Sequence, residues 1–251
     1  NDVVVHAEEL VAAAREEIDF YHQLLSGFVA KVEIRNDLAA SMMVAHDRLF
    51  VSATASLARR AIAPLLHHEI GTHLLTYFNG QQQPFQQLYA GLARYEELQE
   101  GLAVLAEYLV GGLTRSRLRA IACRVLAVQS MVDGRSFVAT FHDLHHEHRQ
   151  GAKAAFMTTL RVYRGGGLTK DAIYLRGLRD LVQYLAAGHD AEPLYVGKIA
   201  LEHVPLVQEL RRRGIVGPPA LLPRFWDDAA AAQRLDRCRH SSLLELVEQN
   251  A

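Results

Sequence analysis

The stretch "LLHHEIGTHLLTYFNG", residues 65–80, carries His68 and His73 five positions apart, with Glu69 between them. Apolar residues surround the pair at helical spacing, so a helix is expected. On an ideal helix each residue advances about 100°, which leaves i and i+4 about 40° apart but i and i+5 about 140° apart. Two imidazoles at that spacing cannot face one point on a regular helix. A one-residue π-bulge restores a common face, and such bulges concentrate at functional sites. Gly71 lies between the histidines and has the freest backbone for that distortion.

His-Glu-x-x-His on a helix is a two-ligand zinc signature, and here it is one residue longer. Against a metal reading stands the commoner fate of histidines in apolar helices, hydrogen bonding within the core. A chain with 13 histidines also produces close pairs by chance. A third donor decides the matter. Glu100, in "ELQEGLAVLAEYL", lies one turn into a second expected helix, and two histidines plus such a glutamate leave an open coordination position. Glu96, Glu97 and Glu107 compete with it. Glu97 reads as a solvated first-turn residue, whereas Glu107, two turns on, is placed to orient a histidine from behind. His67 points about 100° away from His68 and reads as core or support.

Two other stretches invite a chemical reading. "FHDLHHEHR" holds His142, His145, His146 and His148, with His142 and His146 at i, i+4 spacing. It is polar all round, so a solvated helix end or loop is expected, with adventitious metal binding at most. Gly165-Gly166-Gly167 lacks the spacing of a phosphate loop and reads as a flexible connection before a helix.

The chain has 251 residues, half of them apolar, enough for one sizeable core, and a single domain over residues 1–251 is expected. Its 27 Lys and Arg nearly balance 28 Asp and Glu, so no global field favours nucleic acid or an anionic membrane. No apolar run approaches the roughly 20 residues that span a bilayer. Cys123 and Cys238 lie far apart and make neither a disulfide framework nor a paired-thiol metal site, which favours a reducing, cytoplasmic setting. The opening "NDVVVHAEEL" has no initiating methionine, and the chain is expected to be part of a longer soluble protein.

Periodicity gives a first helix from about His6 to near Gly27. Short strands follow around 32–34, 42–45 and 49–51, broken at Asn36-Asp37 and Asp47-Arg48. Helices are then expected from about Ser56, restarting at Pro64, to Asn79-Gly80, from Tyr95 to Gly111-Gly112, and over 118–130, 151–163, 169–185, 203–213 and 227–246. The fold class is α+β, predominantly helical.

"HEIGTH" followed by "QEGLA" at 99–103 resembles the QEGLA-motif family, also labelled flavohemoglobin expression-modulating proteins and related to microtubule-associated tyrosine carboxypeptidases. "RVYRGGGLTKDAIYLRGL" (161–178), "LYVGKIAL" (194–201) and "GPPALLPR" (217–224) fit the same resemblance, which covers nearly all of the chain except an N-terminal helical region. The resemblance implies a zincin-like metallopeptidase core, with a small sheet near the metal-binding helices. It implies one zinc ion held by His68, His73 and Glu100, with Glu69 as the catalytic base toward water. The implied activity is that of a carboxypeptidase acting on a peptide or protein C-terminus, releasing tyrosine or another aromatic residue. Older naming of the family points to an effect on expression.

An exopeptidase needs a cation for the terminal carboxylate, because burying that charge unpaired is costly. Arg161, Arg164, Lys170 and Arg176 are the candidates, with Tyr174 as hydroxyl donor to the developing oxyanion. Each has a bland alternative: Lys170-Asp171 as a helix-start ion pair, Arg176 as a surface residue. The strand around 42–51 precedes the metal helix, as an edge strand able to bind an extended peptide would. Tyr77, Phe78 and Tyr95 read as core. Two histidines and a carboxylate also form the facial triad of non-haem iron oxygenases, but that chemistry does not need a base at Glu69. A non-catalytic regulatory protein is the third reading.

Overall fold

The computed structural model describes residues 3–164 and 170–248. A short strand β1, Val4–His6, leads into helix α1, Ala7–Leu24. Leu10, Val11, Ala14, Ile18 and Tyr21 recur at three and four residues and turn one face of α1 into the core. Strands β2 (Lys31–Arg35), β3 (Met42–Ala45) and β4 (Arg48–Ser52) form a small sheet in the order β2-β4-β3. The β2–β4 pair is parallel, with Val32 opposite Leu49, and β3–β4 is antiparallel, with Val44 opposite Leu49. Leu49 and Val51 point inward from the central strand while Arg48 faces solvent. The tight turn before β4 is His46-Asp47, one residue earlier than Asp47-Arg48, and His46 takes a left-handed φ of 55°.

Strand β5, Ser56–Ala58, pairs antiparallel with β1, Val4 lying opposite Ala58. The sequence puts Ser56–Ala58 at the start of a helix and assigns no strand to residues 4–6, because partners this far apart in the chain leave no local period to read. The main helical rod then begins with α2, Ile62–His68, passes through a π turn, Glu69–Leu74, and continues as α3, Leu75–Gln81. Pro64 lies in its first turn, where a missing N–H costs no helical hydrogen bond. Asn79 and Gly80 do not stop the rod. Asn79 is fully buried, donates to the Tyr195 and Leu221 carbonyls at 2.8 Å each, and accepts from the Leu221 N–H at 2.9 Å. Gly80 lies against the Leu88 carbonyl oxygen, which a Cβ would approach to 2.3 Å.

A short helix α4, Gln87–Ala90, precedes α5, Tyr95–Leu109, which is buried along almost its whole length. Helices α6 (Arg115–Val132), α7 (Phe137–His142) and α8 (Ala152–Tyr163) enclose a satellite core of Cys123, Ala127, Val128, Leu144, Ala155 and Val162. Helix α9, Lys170–Ala186, returns across α5. The chain ends with α10 (Val204–Arg212), α11 (Ala229–Cys238) and α12 (Glu245–Glu248). The single helix expected over 227–246 is thus split. Asp228 caps α11 by accepting from the Ala230 and Ala231 N–H groups, and the helix ends at Cys238. The molecule is α+β and mostly helical, and among the described residues no helix is long and apolar enough to cross a membrane. The Gly165-Gly166-Gly167 run lies outside the described residues.

Asn79→Ala removes three hydrogen bonds and leaves buried backbone groups of two distant loops unpaired. A loss of about 3 kcal/mol or more is expected from urea denaturation.

Candidate metal centre

The π turn does what the spacing of its histidines requires. The Leu75 N–H reaches back five residues to the Ile70 carbonyl, and the His68 and His73 rings lie with centroids 5.3 Å apart on one side of the rod. The Thr72 hydroxyl donates to the His67 carbonyl at 2.9 Å, satisfying an acceptor at the widened turn. Gly71 contributes space rather than unusual backbone. Its φ is outside the left-handed region, but a Cβ there would lie 3.2 Å from His67 Nδ1 and 3.6 Å from the Tyr21 hydroxyl.

Helix α5 brings up the third donor. Glu100 Oε2 lies 3.7 Å from His68 Nε2 and 3.8 Å from His73 Nε2, and one atom from each of the three residues falls within 4.8 Å of the others. Among the described residues this is the one group of three or more metal-type donors so arranged. The far nitrogens are both occupied. His68 Nδ1 is 2.8 Å from Glu107 Oε1, and His73 Nδ1 is 3.3 Å from Gln99 Oε1. With acceptors at both Nδ1 positions the protons belong there, and the two Nε2 lone pairs point toward Glu100. Glu100 Oε2 is buried with no hydrogen-bond partner. A carboxylate oxygen in that condition is costly unless a cation meets it, so the donor set fits a metal ion. The His73 side chain keeps 16% of its surface open, against 8% for His68, which marks the accessible side.

Glu107, one of the competitors for ligand, instead stands behind His68. It accepts from Arg117 through both oxygens, at 2.8 and 2.9 Å. Burial acts to raise its pKa, but the hydrogen bonds from His68 and Arg117 outweigh it and hold the carboxyl at about 2. Burial alone would lower His68, yet Glu107 together with the nearby Glu69 and Glu100 raises it. Burial takes His73 down to about 4, keeping it neutral as a ligand must be. Glu69 is buried and its pKa is pushed up to about 7, chiefly by desolvation, against the lowering influence of His68 and a hydrogen bond from the Val44 backbone N–H. Val44 belongs to β3, the edge strand, which packs on the π turn.

Two glycines set the distance between α5 and α9. A Cβ on Gly101 would lie 2.5 Å from the Gly177 carbonyl carbon, and one on Gly177 would lie 2.0 Å from the Glu97 carbonyl oxygen. Contact this close puts Tyr174, one turn before Gly177, beside the centre. Its hydroxyl feels the charges of Glu100 and Glu69, and burial raises its pKa well above the ordinary tyrosine range.

The four cations expected to bind substrate differ in their surroundings. Arg161 pairs with Asp171, so Lys170-Asp171 is not the helix-start pair, and Arg176 pairs with Glu97. Glu97 is correspondingly mostly buried rather than solvated, because the close helix crossing covers it. Arg164 and Lys170 are exposed at the ends of α8 and α9. The charge of Arg161 is nonetheless felt by Glu100 and Tyr174, and two further cations share this region. Arg124 stacks on the Tyr174 ring at 5.3 Å, and Lys198 influences His73 electrostatically. Their signal in sequence is slight: one basic residue in an otherwise apolar stretch such as "LYVGKIAL". His67 is a supporting residue, edge-on to Phe225 and 3.9 Å from Glu17. Tyr77 and Phe78 are buried and Tyr95 half-buried.

The second histidine cluster is helical rather than a loop, since α7 runs into another π turn, Asp143–Glu147, anchored by buried Leu144. The His142 and His146 ring centroids lie 4.1 Å apart with the planes tilted by 36°, but no third donor joins them among the described residues.

Comparison with known proteins fits this arrangement. Residues 1–242 match the family model described as microtubule-associated tyrosine carboxypeptidase. The chain belongs to that family. Human microtubule-associated tyrosine carboxypeptidase 1 is 28% identical over 235 residues, covering 86% of this chain and 48% of the human protein. The chain therefore spans about half the length of this curated relative. The family match takes in the π turn, α5 and α9, the three elements that build the centre.

Gly177→Ala forces α5 and α9 apart and is expected to lose about 2 kcal/mol in chemical denaturation. At Gly151, where nothing lies within 4 Å, the same change is expected to stay within about 0.5 kcal/mol.

Proposed function

We propose that this chain is the zincin-like catalytic unit of a zinc-dependent carboxypeptidase, releasing the C-terminal residue, tyrosine or another aromatic, from a peptide or protein. The observation that carries the reading is a buried, unpartnered Glu100 oxygen facing two Nε2 lone pairs, with Glu69 close by and its pKa pushed up to about 7. The human relative's name supplies the activity class and the tyrosine preference. Two buried free cysteines are consistent with a cytoplasmic setting, which is part of the proposal.

His68, His73 and Glu100 would hold the zinc. When bound, it supplies a Lewis acid that polarises the scissile carbonyl and acidifies water. Glu69 takes the proton of the attacking water on its carboxylate and passes it to the leaving nitrogen. Held beside a bound cation, the Glu69 carboxylate would be favoured in its ionised form, the form that can accept the proton. Tyr174, with its proton retained by burial, donates a hydrogen bond to the oxygen that gains charge in the transition state. The β3 edge presents backbone groups to an extended substrate beside the π turn. Glu107 and Gln99 fix the two imidazole tautomers and ring orientations.

Mass spectrometry of a varied peptide pool, incubated with zinc-loaded protein, is expected to show loss of single C-terminal residues. Glu69→Gln is expected to bind zinc as wild type does and to lose about 10²- to 10⁴-fold in turnover. Equal activity in that variant removes Glu69 from the role of base, and iron-dependent oxygen consumption without cleavage overturns the peptidase reading. In competition with a chromogenic chelator, Glu107→Ala is expected to bind zinc about 10- to 100-fold more weakly, because His68 loses its orienting partner.

A further inference from the structure

Lys198 lies on the segment between the short 3₁₀ turn Glu192–Tyr195 and α10. It lies between Tyr77, one turn beyond His73 on the rod, and Tyr95, at the start of the helix that carries Glu100, with no carboxylate partner among the described residues. Its ammonium group lies 5.4 Å from the centre of the Tyr77 ring and 5.8 Å from that of Tyr95, between the rod and the start of α5. The position is built. The Lys198 N–H donates to the Leu88 carbonyl at 2.6 Å, and its own carbonyl accepts from the Leu92 N–H at 3.0 Å. Gly197 and Gly80 both abut that same Leu88 carbonyl, at 2.4 and 2.3 Å from where their Cβ atoms would be. Side chains at either glycine would push the lysine segment or Tyr77's helix away.

Electrostatics agree with the geometry. Burial and the like charge of Lys170 push the Lys198 pKa down from the usual lysine range, so an arriving anion would relieve both costs. Its charge is also felt at His73, the more open of the two histidines. Arg161 and Arg176 are neutralised by Asp171 and Glu97, Arg124 stacks on Tyr174, and Lys170, though close enough to repel Lys198, is exposed at the start of α9 where Lys198 is part-buried.

We infer that Lys198 receives the α-carboxylate of the substrate's C-terminal residue, with Tyr77 and Tyr95 walling the space for that residue. The inference rests on the carboxypeptidase reading and assigns its anchor. A lysine gives a point charge instead of a bidentate fork, so the carboxylate is held by charge and the side chain by the aromatic walls. Such a subsite favours a free C-terminus and disfavours cleavage within a chain.

The test is equilibrium binding of N-acetyl-tyrosine and N-acetyl-tyrosine amide to the zinc-loaded protein, in wild type, Lys198→Met, Lys198→Gln and Lys198→Arg. Wild type is expected to prefer the free acid by about tenfold or more. Lys198→Met and Lys198→Gln are expected to bind acid and amide alike, and Lys198→Arg to keep a preference. Two neutral variants guard against one that does not fold. Equal binding of the two probes by wild type, or an acid preference that persists in a folded neutral variant, overturns the assignment. C-terminal release by wild type in the peptide pool, measured alongside, separates the two failures. Release without a Lys198-dependent acid preference sinks the subsite alone, whereas a Lys198-dependent preference without release sinks the peptidase reading.

Discussion

Glu100 is a buried carboxylate with an oxygen that nothing in the described protein satisfies, and much of the surrounding structure serves to hold it there. Desolvating such a group is expensive, so the fold has to bring the compensating groups close and keep them rigid. The π turn supplies two imidazoles on one face, and the Gly101–Gly177 contact lets α9 close over the other side. Without the π turn the two imidazoles would face different sides of the rod, and without the glycine contact Tyr174 would move away from Glu100.

The nearby carboxylates differ only in their neighbours. Glu107 meets a histidine N–H and a bidentate arginine, and those contacts hold it ionised at about 2. Glu69 has one backbone N–H and the charge of His68 to lower it, and burial outweighs both to bring it to about 7. One helix thus carries Glu100 and, two turns later, the residue that orients His68, while Glu69 sits on the rod next to His68. Division of labour among chemically similar side chains follows from the hydrogen bonds each receives.

The distribution of cations is equally informative. Arg161, Arg176 and Arg117 each face a carboxylate and act as ties between helices. Lys198 and Arg124 face aromatic rings instead, which stabilise a cation without neutralising it. Charge left available in this way lies around the centre, whereas the paired charge maintains the packing that forms it.

The i, i+5 spacing of His68 and His73 demanded a distorted helix, and the π turn is present. Glu100 and Glu107 were legible too, since residues seven apart share a helix face and one helix can present both to a neighbour. The three-stranded sheet and most helices followed from periodicity. The β1–β5 pair did not, because its partners are about 50 residues apart, and neither did the continuation of the rod through Asn79 and Gly80. For the candidate substrate cations the sequence offered only residue types: that Arg161 pairs with Asp171 and Arg176 with Glu97 depends on contacts between helices. By itself the sequence determined the helix period, the distortion and the donor types, all of which depend on neighbours within a few turns. Which charges cancel and which remain open, and that Lys198 stands beside the centre, were decided only by tertiary structure, because ion pairing and desolvation depend on distances that chain separation does not encode.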